Sequence, residues 1–214
     1  MSEIDPPPPP AAQPVPAQPT AGAAPTGPFT LAQVNALAPA DFARAFGRAY
    51  EHSPWVAERA FARRPFAKVA ELLAALRETL ASAEPEAQLA LLRAHPMLAL
   101  PPARLATLTA ESPREPRSAG LDALTAGERV EVDQLNQAYM ARHGFPFIIA
   151  VRLHTRDQII AALRERLPRE TAVEHAEALR QVARIAGLRV ADLLPADLQP
   201  AEVAAAQARA GTRP

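Results

Sequence analysis

Apolar residues recur every three or four positions through nearly all of residues 28–201, a period that admits little besides packed helices. Phe42, Phe46, Ala49 and Tyr50 fall on one stripe, and Asp41 stands where a helix N-terminus favours an acid. Ser53-Pro54 stops that helix, Trp55, Val56 and Ala60 begin a short one, and Pro65-Phe66 makes a turn. Val69, Leu72, Leu73, Leu76 and Leu80 carry the period through a longer helix. Glu86 to Ala94 repeats it and ends at His95-Pro96, because proline disfavours the α region for the residue before it. Further helices are predicted over Glu115–Leu124, Ala126–His143, Thr155–Arg166 and Arg169–Arg184, the last with a short continuation. No run of strand length alternates apolar and polar residues. Phe147 to Val151 alone is strand-like in composition, and a buried helix explains it equally well; the Gly144-Phe145-Pro146 turn is expected to lead into an apolar helix. The expected class is all-α, a single-domain bundle of roughly seven to nine helices with short connections between antiparallel neighbours.

The ends differ from this middle. Residues 1–27 are almost wholly Pro, Ala, Gln, Thr and Gly, a composition that favours extended chain and offers no large apolar side chains for a core. A disordered tail is expected there, with docking to a proline-reading domain as the functional alternative. Residues 202–214 are an Ala-rich C-terminal tail, which leaves 28–201 as the helical domain. The 23 basic and 23 acidic residues cancel, so no global field draws nucleic acid or an anionic membrane. No apolar run is long enough to span a bilayer. Cysteine is absent, which removes disulfides, thiolate catalysis and Cys-ligated metal. The N-terminus has neither the basic nor the apolar segment of a secretory signal, and a cytoplasmic location is expected.

Chemistry-bearing residues gather in a few places. His95 closes a helix, where a C-terminal dipole favours a cation and a capping role is the plain structural reading. Ser112-x-x-Glu115 has capping-box spacing, with Pro113 at the favoured first helical position. Gly144-Phe145-Pro146-Phe147 is a turn with two aromatics pinned by a proline, readable as a packed corner between helices. Arg189 on the last helix reads as a solvated charge or as a fork for a carboxylate, and Arg152 is a weaker candidate of the same kind. His52, His143, His154 and His175 carry weaker signals, and Asn136 and Tyr139 are expected to be structural.

His95-Pro96, Ser112-x-x-Glu115, the Gly-Phe-Pro-Phe turn and Arg189, in this order, resemble the OHCU decarboxylase family, over about Leu31 to Leu194. Glu51 to Val56 and Arg64-Pro65-Phe66 add likeness without chemistry. Family members take 2-oxo-4-hydroxy-4-carboxy-5-ureidoimidazoline, an intermediate of urate breakdown, to (S)-allantoin and carbon dioxide. The resemblance implies that His95 and Glu115 are catalytic. It implies substrate binding by Pro96, Ser112, the position of Pro116, backbone groups near Phe147 and Ile148, and Arg189. It also implies a small-molecule substrate, no metal, no cofactor and a homodimer. Two positions depart from the pattern. Pro116 replaces a glutamine whose amide offers donor and acceptor to the substrate ring, and Met97 replaces an acidic residue two places after the histidine. Those departures keep two alternatives in view: another ureido or imidazoline acid as substrate, or a non-catalytic helical binding module.

Overall fold

A computed structural model of the chain describes residues 27–98, 124–195 and 197. The proline-rich tail through residue 26, Ser112, Glu115 and Pro116, most of the helix expected over Glu115–Leu124, and the Ala-rich tail lie outside those residues. The described residues are all-α, with eight α-helices and no strand. In order they are α1 Leu31–Ala36, α2 Pro39–Gly47, α3 Trp55–Ala60, α4 Val69–Ala81, α5 Pro85–Ala94, α6 Ala126–His143, α7 Arg156–Arg166 and α8 Thr171–Leu193. Short 3₁₀ turns follow α2 (Arg48–Tyr50) and α3 (Phe61–Arg63), and another precedes α7 (Val151–Leu153).

The starts of these helices are written locally. Thr30, Thr125 and Thr155 each cap a helix through the side-chain oxygen, and Gln33, Glu128 and Gln158 reach back to the cap N–H, completing three capping boxes. Pro39 and Pro85 sit in the first turns of α2 and α5, where no N–H is needed. The sequence reading did not include α1. The helix expected from Arg169 begins instead at Thr171 and runs 23 residues without a break, since nothing between Arg184 and Leu193 stops it.

Two aromatic groups fill the core. Phe42 packs on Phe46 with ring centroids 4.8 Å apart and edge-on to Phe61 at 5.5 Å. At the other group Tyr139 meets His143 at 4.4 Å and stands edge-on to Phe147 at 5.4 Å. Helix α8 is the long element of the bundle, lying against α4, α5, α6 and the Arg48–Tyr50 turn.

The segment after α6 departs from the expected apolar helix. Gly144 ends α6 in the left-handed region at φ 76°, its N–H donating to the Met140 carbonyl. Phe145 to Ala150 then run on in neither helix nor strand, buried throughout, and only Val151–Leu153 make a 3₁₀ turn. Pro146 disfavours the α region for Phe145 before it, and side chains from α7 and α8 hold part of the backbone instead. Ala150 N–H donates to Gln181 Oε1 at 2.9 Å, and Arg166 Nη1 donates to the Ile148 carbonyl at 3.0 Å. The Ala150 carbonyl bonds to His154 Nδ1 at 2.9 Å, which makes that ring nitrogen the donor.

Candidate active site

His95 is the C-cap of α5, in extended backbone at φ −69° and ψ 138° as the following proline requires, with its N–H donating to the Leu92 carbonyl. It is half-buried, and Pro96 is exposed. Two side-chain bonds fix the ends of this short stretch. Arg93 Nε donates to the Gly144 carbonyl at 3.0 Å, and Asn136 Nδ2 donates to the Leu98 carbonyl at 2.9 Å. Both partners belong to α6 or the turn that ends it, so the histidine and the Gly-Phe-Pro-Phe turn are tied to one frame. Asn136, expected to be structural, therefore acts on the segment that carries His95.

Phe147 and Ile148 lie within the buried segment after that turn. Phe147 is held between the Tyr139 ring and the Arg166 guanidinium, which stacks 4.5 Å from its centroid. The N–H groups of Phe147, Ile148 and Ile149 take no hydrogen bond among the described residues, whereas Ile148 C=O and Ala150 N–H are both taken. The segment thus has its polar backbone bound on one side and open donors remaining for a ligand oxygen.

Beneath it runs a chain of buried polar groups that periodicity could not have singled out. Arg166 Nε donates to Glu174 Oε2 at 3.0 Å, with the two side chains 5% and 0% exposed. The same carboxylate accepts the Tyr139 hydroxyl and, at 3.4 Å, Arg169 Nη1. Burial and the bond to Glu174 push the Tyr139 phenol well above its ordinary range, so it stays a donor. Gln181 Nε2 donates to Glu177 at 2.7 Å while its oxygen holds Ala150. Burial pushes the Glu177 carboxyl up, but bonds from Gln181 and Arg180 prevail and leave it below the usual value. Glu174, Glu177 and Gln181, spaced by three and four, share one face of α8.

Arg189 stands further along the same helix, about 12 Å beyond Gln181 at 1.5 Å per residue. It is not the freely solvated charge of the plain reading. Its Nη1 lies 2.5 Å from Glu51 Oε1 and donates to the Ala49 carbonyl at 3.3 Å, with the side chain 23% exposed. Glu51 itself is at φ 52° and ψ −122°, a backbone conformation costing on the order of 1–3 kcal/mol in a residue with a Cβ. Arg152 pairs with Asp192 at the surface.

Of the other histidines, His143 is the one absorbed into packing. Its Nε2 faces the Leu167 carbonyl and its Nδ1 faces the Thr171 hydroxyl, both at 3.2 Å, and burial depresses its pKa. His175, half-buried edge-on to Phe145, is depressed for the same reason. Among the described residues, the stretch with His95 and Pro96 is tied through Arg93 and Asn136 to α6 and the turn that leads into Phe147 and Ile148, and Arg189 lies on α8, which also holds Ala150. Glu51, Arg166, Glu174 and Gln181 are the supporting groups that the sequence reading did not assign.

The sequence model of the OHCU decarboxylase family matches residues 35–191. The 2-oxo-4-hydroxy-4-carboxy-5-ureidoimidazoline decarboxylase of Haloferax volcanii is 44% identical over 161 residues, covering 75% of this chain and 94% of that protein. The uric acid degradation bifunctional protein PucL of Bacillus subtilis is 37% identical over 161 residues, covering 75% of this chain and 32% of that protein. Among solved structures, an (S)-allantoin synthase superposes with a TM-score of 0.62 at 30% identity, covering 78% of this chain and 54% of that one.

Proposed function

The chain belongs to the OHCU decarboxylase family, and we propose on that premise that it is a carboxy-lyase of urate degradation. It converts 2-oxo-4-hydroxy-4-carboxy-5-ureidoimidazoline to (S)-allantoin and carbon dioxide. The observation that carries this reading is the match over residues 35–191, which spans every residue assigned to the site.

The substrate bears its carboxylate on a carbon beside a ring C=N. When the bond to the carboxylate breaks, its electron pair enters that imine system, and the enol-like species left behind takes a proton at ring carbon. The electron sink is in the molecule, so the chain's task is orientation, exclusion of water and delivery of a proton to one face. We assign His95 to the hydroxyl–carboxyl end of the substrate, as hydrogen-bond partner or base. Glu115 protonates the intermediate and thereby sets the S configuration. Ser112 and Arg189 bind, Arg189 offering a guanidinium to the carboxylate or the carbonyl-rich ring. Pro96 and the open N–H groups near Phe147 and Ile148 form the wall, supported by the burial of Phe147 and Ile148 and by the bonds that tie this turn to the His95 segment. Pro116 contributes neither a polar side-chain atom nor an N–H, so the ring is held by the remaining contacts.

The protein acts as a soluble cytoplasmic homodimer in this reading, with residues 28–201 as its domain and the two tails as appendages. Among the described residues no helix is long and apolar enough to cross a membrane. The test is circular dichroism of urate treated with urate oxidase and hydroxyisourate hydrolase, with and without this protein. Rapid growth of an optically active allantoin signal is expected, since spontaneous decay gives a racemate. His95→Ala and Glu115→Ala should abolish most of the acceleration while remaining helical. Racemic product at the spontaneous rate from folded wild-type protein would refute the assignment and favour another ureido acid as substrate.

A further inference from the structure

The buried charges around α8 ask for an explanation that stability does not supply. A buried ion pair is often matched or surpassed by apolar residues of the same volume. Arg166 also leaves its Nη2 buried with no partner among the described residues, which a group kept for stability alone has no reason to do. What Arg166 does do is specific. Its Nη1 takes the Ile148 carbonyl, its plane covers Phe147, and its Nε is oriented by Glu174, itself held by Tyr139 from α6. Gln181 repeats the arrangement one step on, its oxygen on Ala150 N–H and its nitrogen anchored to Glu177. Each polar grip on the segment therefore has a second residue behind it that fixes the gripping side chain. The two grips fix the peptide planes on either side of Ile149, so they determine which way its N–H faces and steady the neighbouring N–H groups of Phe147 and Ile148.

We infer that Arg166 and Gln181 are positioning residues of the site: by clamping Ile148 C=O to α7 and Ala150 N–H to α8, they aim the backbone N–H groups of Phe147–Ile149, unbonded among the described residues, at the substrate. The inference rests on the decarboxylase reading for the identity of the substrate, but the clamp is a statement about the chain alone. A donor set held by a rigid helix costs no reorganisation when the ligand arrives, and an unclamped loop must be ordered at each binding event. Those donors contact substrate and transition state alike, so slackening them weakens uniform binding and appears in KM more than in kcat.

The experiment uses the full chain with Gln181→Met, which keeps length and burial and deletes the acceptor. A second variant, Val69→Ala at the start of α4, is compared at the same fraction of its own Tm as a control for general destabilisation. Hydrogen exchange read by mass spectrometry should speed up across residues 145–153 in Gln181→Met and stay at the wild-type rate in α2 to α4. KM for the ureidoimidazoline should rise about tenfold with kcat nearly unchanged, and Val69→Ala should leave KM where it was. Arg166→Lys, which retains the charge beside Glu174 and lacks the fork, should follow Gln181→Met in both readouts. Unchanged exchange over 145–153, or faster exchange without a change in KM, overturns the inference. Should wild-type protein form no (S)-allantoin, the proposed reaction falls by itself, and the exchange measurement alone decides whether the clamp exists.

Discussion

Replacing Glu174 by glutamine removes one charge from the most deeply buried polar group of the fold and changes almost nothing in shape. Glu174 is 0% exposed and accepts from Arg166 at 3.0 Å, from Arg169 at 3.4 Å and from the Tyr139 hydroxyl. In the variant the Arg166 guanidinium, 5% exposed, keeps its charge with no counter-ion in contact but a neutral amide. Breaking a buried pair by removing one partner costs about 3–5 kcal/mol. For a domain of this size each kcal/mol moves Tm by about 2–4 °C, so Glu174→Gln should lower Tm by roughly 6–20 °C. Arg166→Met should cost a similar amount by stranding the carboxylate. The double variant Arg166→Met with Glu174→Gln carries no stranded charge, keeps an amide oxygen for the Tyr139 hydroxyl and leaves the Ile148 carbonyl short of a partner, about 1–3 kcal/mol. With the wild type, the two singles and this double form a cycle with a coupling of at least about 3 kcal/mol, the double being more stable than either single. Thermal and urea unfolding followed by far-UV circular dichroism measure it. Simple additivity, or a loss below about 1 kcal/mol in Glu174→Gln, would show that water reaches the pair and screens it. The double variant should regain stability without regaining substrate affinity, because the grip on Ile148 goes with Arg166.

Glu51→Gln removes the charge facing Arg189, a pair about a quarter exposed, and should leave Tm within about 2 °C of wild type. KM should rise about fivefold as the guanidinium loses its orientation, and an unchanged KM would mean that Glu51 does not hold Arg189 for the substrate. His143 is depressed below its ordinary value of 6.5 by burial, so the unfolded chain takes up its proton first as pH falls. Its contribution to stability is complete above about pH 6.5 and is lost as pH drops through the folded value. Unfolding curves between neutral and mildly acid pH should therefore slope less in His143→Phe, and an equal slope would remove His143 as a cause. Pro116→Gln restores an amide donor and acceptor and should raise kcat/KM by about two- to tenfold. No gain would place that position out of reach of the substrate.

The helices were legible in the sequence wherever their determinants were local. Stripes such as Val69, Leu72, Leu76 and Leu80, with the prolines between them, mark α3 to α7 within a residue or two, whereas α2 ends at Gly47, ahead of the expected stop at Ser53-Pro54. The segment after Gly144 was not, because what keeps it extended is supplied from elsewhere in the chain. Arg166 lies 18 residues away from Ile148, and Gln181 lies 31 away from Ala150. Glu174, Glu177 and Gln181 recur at helical spacing, and polar residues at that spacing read as a solvated face until the packing is known. Arg189 was singled out through family likeness, but its partner Glu51 was not, since a pairing across 138 positions leaves no local trace. Ser112, Glu115 and Pro116 remain sequence assignments.

These facts bear on how such an enzyme spends its structure. A reaction that carries its own electron sink asks the protein chiefly for orientation, and well-oriented groups are worth about 7–11 kcal/mol of barrier. Orientation needs a frame stiffer than the side chains alone. Here α8 is contacted by α4, α5, α6 and the Arg48–Tyr50 turn, and it holds both the Phe147–Ala150 segment and Arg189. The α6 frame holds the His95 segment through Asn136 and, at its closing turn, through Arg93, and Tyr139 joins that frame to Glu174 on α8. The stretch that carries His95, the backbone donors and Arg189 is thus tied to two helices that are themselves joined through Tyr139 and Glu174. With proline at position 116 removing a side-chain contact to the ring, binding in the proposed mechanism leans harder on the backbone donors. Their register then matters more than any individual polar side chain that remains.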